Sequence, residues 1–204
     1  MNDKFSMIVL AGGRSSRMGR DKSDLVLKEQ TFLNIQLQKG RQLGIRDILV
    51  SGYQGQCCEE RVVPDRLKGQ GPLGGLEACL RLAAHDRCLV LSVDVPLVSV
   101  QELERLIEED RKNRGQIAEG MKCGQRITIL QHGETQEPLI GVYDRGLADG
   151  MEEALRAGKG SVFAFLRNTG YGVYVSQGEE DQFQNINEQA DYRELILRSG
   201  QLLK

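Results

Sequence analysis

The sequence predicts an α/β fold, one domain with a mainly parallel sheet and helices on both faces. Three observations carry this expectation. Apolar runs of strand length alternate with amphipathic stretches of helix length as far as about residue 114. Glycine-rich turns follow several of the strand candidates, where such sheets place their ligand loops. The chain has 204 residues, 40% of them hydrophobic and 27% charged, enough for one well-filled core but not for several. Strands that alternate with helices pair in parallel.

Phe5–Ala11 is a buried strand, followed by a polar loop of Gly, Arg and Ser. Thr31 is an N-cap for the first helix, whose Phe32, Leu33, Ile35, Leu37 and Leu43 make an uneven apolar face that stops at Gly44. Asp47–Ser51 is the second strand and Glu60–Val63 a short third. Leu73–Ala84 is helical, Cys88–Ser92 is a strand, and Ser99 caps a helix over Val100–Arg114 in which Leu103, Leu106 and Ile107 recur at helical spacing. Beyond Gly115 the pattern loosens. Strands are expected at Gln116–Ala118, Arg126–Leu130, Leu139–Tyr143 and Tyr171–Val175, with helices near Gly146–Arg156 and Ser161–Arg167. No linker or repeat divides residues 1–204.

Charge and composition exclude several classes. With 27 basic and 29 acidic side chains the net charge is −2, and aromatics reach only 5% with no tryptophan. A nucleic-acid grip is therefore not expected. Met1–Lys4 is polar and the apolar run after it is too short for a secretory core. No run approaches the roughly 18 apolar residues of a membrane span. Five cysteines without a CxxC pair, and only two histidines, predict reduced thiols and a cytoplasmic protein, with neither a disulfide framework nor a zinc site.

The chemistry gathers in three loops. Gly12-Gly13-Arg14-Ser15-Ser16-Arg17-Met18-Gly19-Arg20-Asp21-Lys22 follows the first strand directly. Its glycines allow backbone amides to approach an anion, and its cations suit phosphates. A P-loop sets its lysine directly after the second glycine, whereas Arg20 and Asp21 stand between Gly19 and Lys22, so that motif is excluded. Gly69–Gly75 formally contains a dinucleotide fingerprint, but Pro72 interrupts it and no strand ends just before Gly69. The better reading has Pro72 begin a helix whose glycines admit a base or sugar. Asp94 closes the strand Leu89–Val93 and precedes Val95-Pro96, placed to hold Mg²⁺ together with substrate phosphates. The plain alternatives are a solvated basic turn, a chain-reversal loop and a turn aspartate.

Leu10–Lys22 (LAGGRSSRMGRDK) resembles the signature loop of small nucleotidyltransferases. Gly71–Leu76 (GPLGGL), Ser92–Pro96 (SVDVP), Glu137–Asp144 (EPLIGVYD) and Phe183–Asn187 (FQNIN) are similar, in order, to segments of the molybdenum cofactor guanylyltransferase family. The related cytidylyltransferases usually carry a single glycine where this chain has Gly12-Gly13. The resemblance implies a three-layer, Rossmann-like nucleotidyltransferase fold, with a nucleotide-binding half to about residue 114 and a substrate-binding half after it. It implies transfer of GMP from GTP to molybdopterin cofactor, with release of pyrophosphate and Mg²⁺ as cofactor. By position, Leu10, Ala11, Gly12, Gly13 and Gly71 would meet the nucleotide, Asp65 the nucleoside, and Arg17 and Lys22 the triphosphate. Asp94 would hold Mg²⁺ and GTP, while Asn185 and Asn187 would sit near the pterin, unless those two are only turn formers. Cofactor-carrier or molybdoenzyme-maturation proteins are the protein partners this reading admits. The chain departs from the family at Ser51-Gly52-Tyr53, where an Asn is common, and at Glu188-Gln189, where Thr-Pro usually follows. The rival readings are a cytidylyl- or sugar-phosphate nucleotidyltransferase, and a non-catalytic nucleotide-binding subunit that delivers cofactor.

Overall fold

All six residues of Phe5–Leu10 are buried, as a strand covered on both faces requires. The computed structural model describes residues 4–12, 21–55, 58–67, 69–115 and 125–201. The strand expected at Gln116–Ala118 lies outside the described residues, as do Gly13 and Arg17. In chain order the strands are β1 (Phe5–Leu10), β2 (Val26–Leu27), β3 (Gln30–Thr31), β4 (Asp47–Ser51), β5 (Arg61–Val63), β6 (Arg87–Ser92), β7 (Ile127–His132), β8 (Thr135–Asp144) and β9 (Gly172–Val175). The α-helices are α1 (Phe32–Gln42), α2 (Gly71–Leu82), α3 (Val100–Gly115), α4 (Ala148–Arg156), α5 (Val162–Thr169) and α6 (Gln189–Gln201).

Seven strands form one sheet in the order β5-β4-β1-β6-β8-β7-β9. β5, β4, β1 and β6 pair in parallel, and β9 is parallel to β7. β8 runs against both neighbours, so the sheet is mainly parallel with one reversal. The β7–β8 register shifts between Ile129 and Leu130, close to Pro138, which has no N–H for a ladder.

The period of a strand sorts its side chains into two layers. From β1, Phe5, Met7 and Val9 join Leu33 and Leu37 of α1 and Leu103, Leu106 and Ile107 of α3. Ile8 and Leu10 face the other way, toward Leu73, Leu76 and Leu80 of α2, Met151 and Leu155 of α4 and Phe165 of α5. The helix starts follow from their caps: Asn34 N donates to Thr31 Oγ1 (3.1 Å), Glu102 N to Ser99 Oγ (3.3 Å) and Ala164 N to Ser161 Oγ (3.3 Å).

Three elements carry no clear sequence signal. A 3-10 turn at Lys22–Asp24 and the two-residue strands β2 and β3 are too short for periodicity to register. α6 turns only part of its apolar surface inward: Leu195 is buried with Leu25, Leu27 and Phe32, whereas Leu197 is 68% exposed. The helix expected near Gly146 begins as a 3-10 turn at Arg145–Leu147 before α4.

Two loops touch through backbone alone. Gly52 has φ +72°, and a Cβ there would lie 2.6 Å from the Gly12 Cα. Only glycine fits both demands, which gives a packing reason for the departure at Ser51-Gly52-Tyr53. Gly44 has a similar φ of +73°, but nothing lies within 4 Å of its added Cβ. In urea melts, Gly44→Ala should cost about 1 kcal/mol for the left-handed backbone alone. Gly52→Ala should cost about 2 kcal/mol more, because backbone rather than a movable side chain must shift. Equal losses would show that the Gly12–Gly52 contact is slack.

Candidate active site

The carboxyl ends of β1, β4 and β6 meet at one edge of the sheet, and the loops after them build the site. Lys22 leads the 3-10 turn behind the first loop. Asp21 caps that turn by accepting from Ser23 N (3.0 Å), and Ser23 Oγ, buried, donates to the Ala11 carbonyl (3.1 Å). The turn is thereby fastened to the end of β1. From it the Lys22 ammonium donates to Asn187 Oδ1 (2.6 Å) and lies 3.6 Å from Asp94 Oδ2. Residues from the first loop, the β6–α3 loop and the approach to α6 thus converge on one cation.

Asp94 lies in the turn beyond Ser92, where β6 ends, rather than at the end of the strand itself. Its carbonyl accepts from Ile186 N (2.8 Å), which fixes the Asn185–Asn187 segment beside it. Its Oδ1 is buried and has no hydrogen-bond partner among the described residues. A carboxylate oxygen withdrawn from water without a donor is costly, and a bound cation would satisfy it. Among the described residues no group of three or more His, Cys, Asp or Glu could hold a metal by itself. The donor set therefore fits a hard ion that takes one carboxylate and completes its shell with phosphate and water oxygens.

Asn187 and Asn185 occupy different surroundings. The Asn187 and Glu188 amides both donate to Asp191 Oδ2 (2.8 Å each), which closes the turn into α6 and leaves the Asn187 side chain for Lys22. Asn185 Nδ2 donates to Glu137 Oε1 (3.4 Å). His132 Nε2 is also 3.4 Å from that oxygen, and its ring stacks on Phe183 at 4.7 Å. Glu137 and His132 are not among the site residues expected from sequence, although Glu137 opens the quoted EPLIGVYD segment.

The β4 side of the edge forms a second group. Ser51 Oγ donates to Asp65 Oδ1 (3.4 Å), and burial raises the Asp65 carboxyl above its ordinary pKa while that hydrogen bond opposes the rise. A Cβ on Gly75 would fall 2.1 Å from Ser51 Oγ, so α2 approaches this pair closely only because a glycine is there. Gly71 opens α2 with φ +65°, Pro72 occupies its first turn, and Gln70 supplies no side-chain cap. The first amides of α2 therefore take no cap from Gln70, and a helix N-terminus of this kind suits an anion. Asp65 and Gly71 make no hydrogen bond or ion pair with the Lys22 group.

Leu10 and Ala11 are already engaged. The Leu10 carbonyl accepts from Val93 N (3.1 Å), and Ala11 N donates to the Ser51 carbonyl (3.0 Å). Gly12 lies against Gly52. Gly13 and Arg17, expected to complete this wall, are outside the described residues. The thiols of Cys79 and Cys88 are buried and pushed up to about 12, chiefly by burial, so neither supplies a nucleophile near neutral pH.

Sequence and fold comparisons place the chain among known proteins. The family model described as the MobA-like NTP transferase domain matches residues 7–171. A protein of Peptoclostridium acidaminophilum named probable molybdenum cofactor guanylyltransferase is 30% identical over 87% of this chain and 79% of its own length. The molybdenum cofactor guanylyltransferase of Syntrophotalea carbinolica is also 30% identical, over 92% of this chain and 88% of its own. The crystal structure of molybdopterin-guanine dinucleotide biosynthesis protein A from Archaeoglobus fulgidus superposes with a TM-score of 0.77, covering 96% of this chain and 99% of that one at 23% identity. By the family model and these relatives, the chain belongs to the MobA-like NTP transferase family, among its molybdenum cofactor guanylyltransferases.

Proposed function

We propose that this chain transfers GMP from GTP to molybdopterin cofactor, forming the guanine dinucleotide cofactor and releasing pyrophosphate. The observation that carries the reading is the convergence of Lys22, Asp94 and Asn187 from three distant segments. A terminal phosphate oxygen of the pterin bonds to the α-phosphorus of GTP as the bond from that phosphorus to the β-phosphate oxygen breaks. The electron pair leaves with pyrophosphate. That phosphate is ionised at neutral pH, so no catalytic base is required, and positioning and charge do the work.

Lys22 serves the triphosphate, exchanging its contacts to Asp94 and Asn187 for phosphate oxygens. Arg17 is proposed to serve the same phosphates. Asp94 would hold Mg²⁺ through the oxygen that has no donor among the described residues. Bound there, the ion would offset the repulsion between two polyanions and stabilise charge on the departing pyrophosphate. Asp65 and the amino end of α2 serve the nucleoside. Since Ala11 N is already donated, the base edge falls to the carbonyls of Leu10 and Ala11 through their remaining lone pairs, and to Gly12 and Gly13. Asn185, with Glu137, lines the acceptor side. The reaction is proposed to occur in the cytoplasm; no helix among the described residues is long and apolar enough to cross a membrane.

Pyrophosphate release from GTP that depends on added molybdopterin cofactor tests the reading, and a nucleotide-binding delivery subunit would release none. Asp94→Ala should lower that turnover about a hundredfold or more in a protein that still folds. Lys22→Ala should weaken GTP binding and reduce its salt dependence while stability changes by less than about 1 kcal/mol, as for other partly exposed ion pairs. Unchanged turnover in folded Asp94→Ala would refute the metal assignment, and an unaltered GTP titration in Lys22→Ala would return the turn to a solvated role.

Nucleotide choice gives a second test. Guanine exchanges donor and acceptor at position six relative to adenine and adds the two-amino donor. A buried carbonyl left without that donor costs about 1–3 kcal/mol, and about 1.4 kcal/mol is a tenfold change in affinity. Competition titrations with Mg²⁺ should favour GTP over ATP by one to three orders of magnitude. CTP should bind more weakly still, because its single ring forfeits contact with the α2 glycines. Equal affinity for CTP and GTP would replace the guanylyl reading with the cytidylyl one.

A further inference from the structure

The buried face of α1 carries two polar side chains where packing would accept apolar ones. Gln36 is fully buried and Lys39 is 7% exposed, on the same face as Leu33, Leu37 and Gly40. Their hydrogen bonds lead to one place. Gln36 Nε2 donates to the carbonyls of Ser92 (2.8 Å) and Val95 (3.0 Å). Lys39 Nζ donates to Gln36 Oε1 (2.8 Å) and to the Pro96 carbonyl (2.9 Å). These three carbonyls bracket Asp94.

We infer that Gln36 and Lys39 are positioning residues that hold the 92–96 backbone, and through it the Asp94 carboxylate, in the geometry the reaction needs. The inference rests on the reading of Asp94 as the residue that holds Mg²⁺ and the triphosphate.

Two physical arguments support a purpose beyond filling the core. Burying an ammonium and an amide costs desolvation and side-chain entropy that leucine or methionine would avoid. Among the described residues no carboxylate pairs with Lys39, and burial pushes its pKa down to about 7. Protonated or neutral, the amine keeps at least two N–H donors, so both contacts persist in either form. Packing from behind is also incomplete. A cavity of about 520 Å³, lined in part by Leu27, Ile35, Pro96, Leu97, Val98 and Leu195, lies at the back of this loop. With space there, side-chain packing alone would let the loop recede, and the hydrogen bonds from α1 resist that movement.

The test compares wild type with Gln36→Met, Lys39→Met and Asp94→Asn. Mn²⁺ affinity in the presence of GTP is read by electron paramagnetic resonance, beside kcat and KM for GTP and a melting curve. Both methionine variants keep side-chain volume and should fold. They should weaken Mn²⁺ about tenfold and lower kcat by at least that factor, as for loss of a group that orients a metal ligand, with KM for GTP nearly unchanged. If either fails to fold, Gln36→Glu carries the same expectation, since it keeps the acceptor for Lys39 and removes both donors to the loop. Wild-type Mn²⁺ affinity and kcat in the folded variants, with Asp94→Asn inactive, would overturn the positioning role. Wild-type Mn²⁺ affinity in Asp94→Asn would instead remove the reading of Asp94 on which it rests.

Discussion

The arrangement of the site depends on one ammonium group. Lys22 Nζ reaches Asn187 Oδ1 at 2.6 Å and Asp94 Oδ2 at 3.6 Å, joining parts of the chain 165 residues apart. Lys22 supplies the positive charge beside Asp94, one of whose carboxylate oxygens has no partner among the described residues. A partly exposed pair of this kind contributes little to stability. Its value lies in placing three polar groups where a phosphate and a metal ion can exchange for them. The rest of the local structure serves that placement, from the Ser23 hydrogen bond to Ala11 to the Ile186 bond to the Asp94 carbonyl.

The fold supplies the rigidity that such a site needs. Both faces of β1 are covered, so the loop that follows it starts from an immobile strand. The buried Arg87–Asp110 ion pair, with Thr128 Oγ1 also donating to Asp110 (3.0 Å), ties β6 and β7 to α3 at the end of β6 away from Asp94. A buried pair of this kind is costly to break because it would leave an uncompensated charge. The polar face of α1 adds a second anchor. Energy that could have gone into apolar packing is spent on fixing backbone carbonyls beside a functional carboxylate.

Much of this was legible in the sequence, for identifiable reasons. Strands β1, β4 and β6 are short apolar runs bounded by polar turns, and Thr31, Ser99 and Ser161 carry hydroxyls at the helix starts they cap. Lys22 and Asp94 could be chosen because each follows a strand in a loop of unusual composition. The reversal at β8 was not legible, since an apolar run does not encode its direction. The contact between Lys22 and Asn187 was hidden for another reason: a long-range pairing leaves no local pattern. Gln36 and Lys39 did leave a trace, as two polar residues interrupting an apolar helical face, yet a broken stripe alone does not say what it grips.

The central claim is that Asn187 holds the Lys22 ammonium in place for the triphosphate. A double-mutant cycle in pyrophosphate release, using Lys22→Met, Asn187→Ala and the double variant, tests it directly. The account predicts strong coupling, with the double variant losing little more turnover than Lys22→Met alone. Independent effects, in which the two single losses multiply in the double variant, would contradict it.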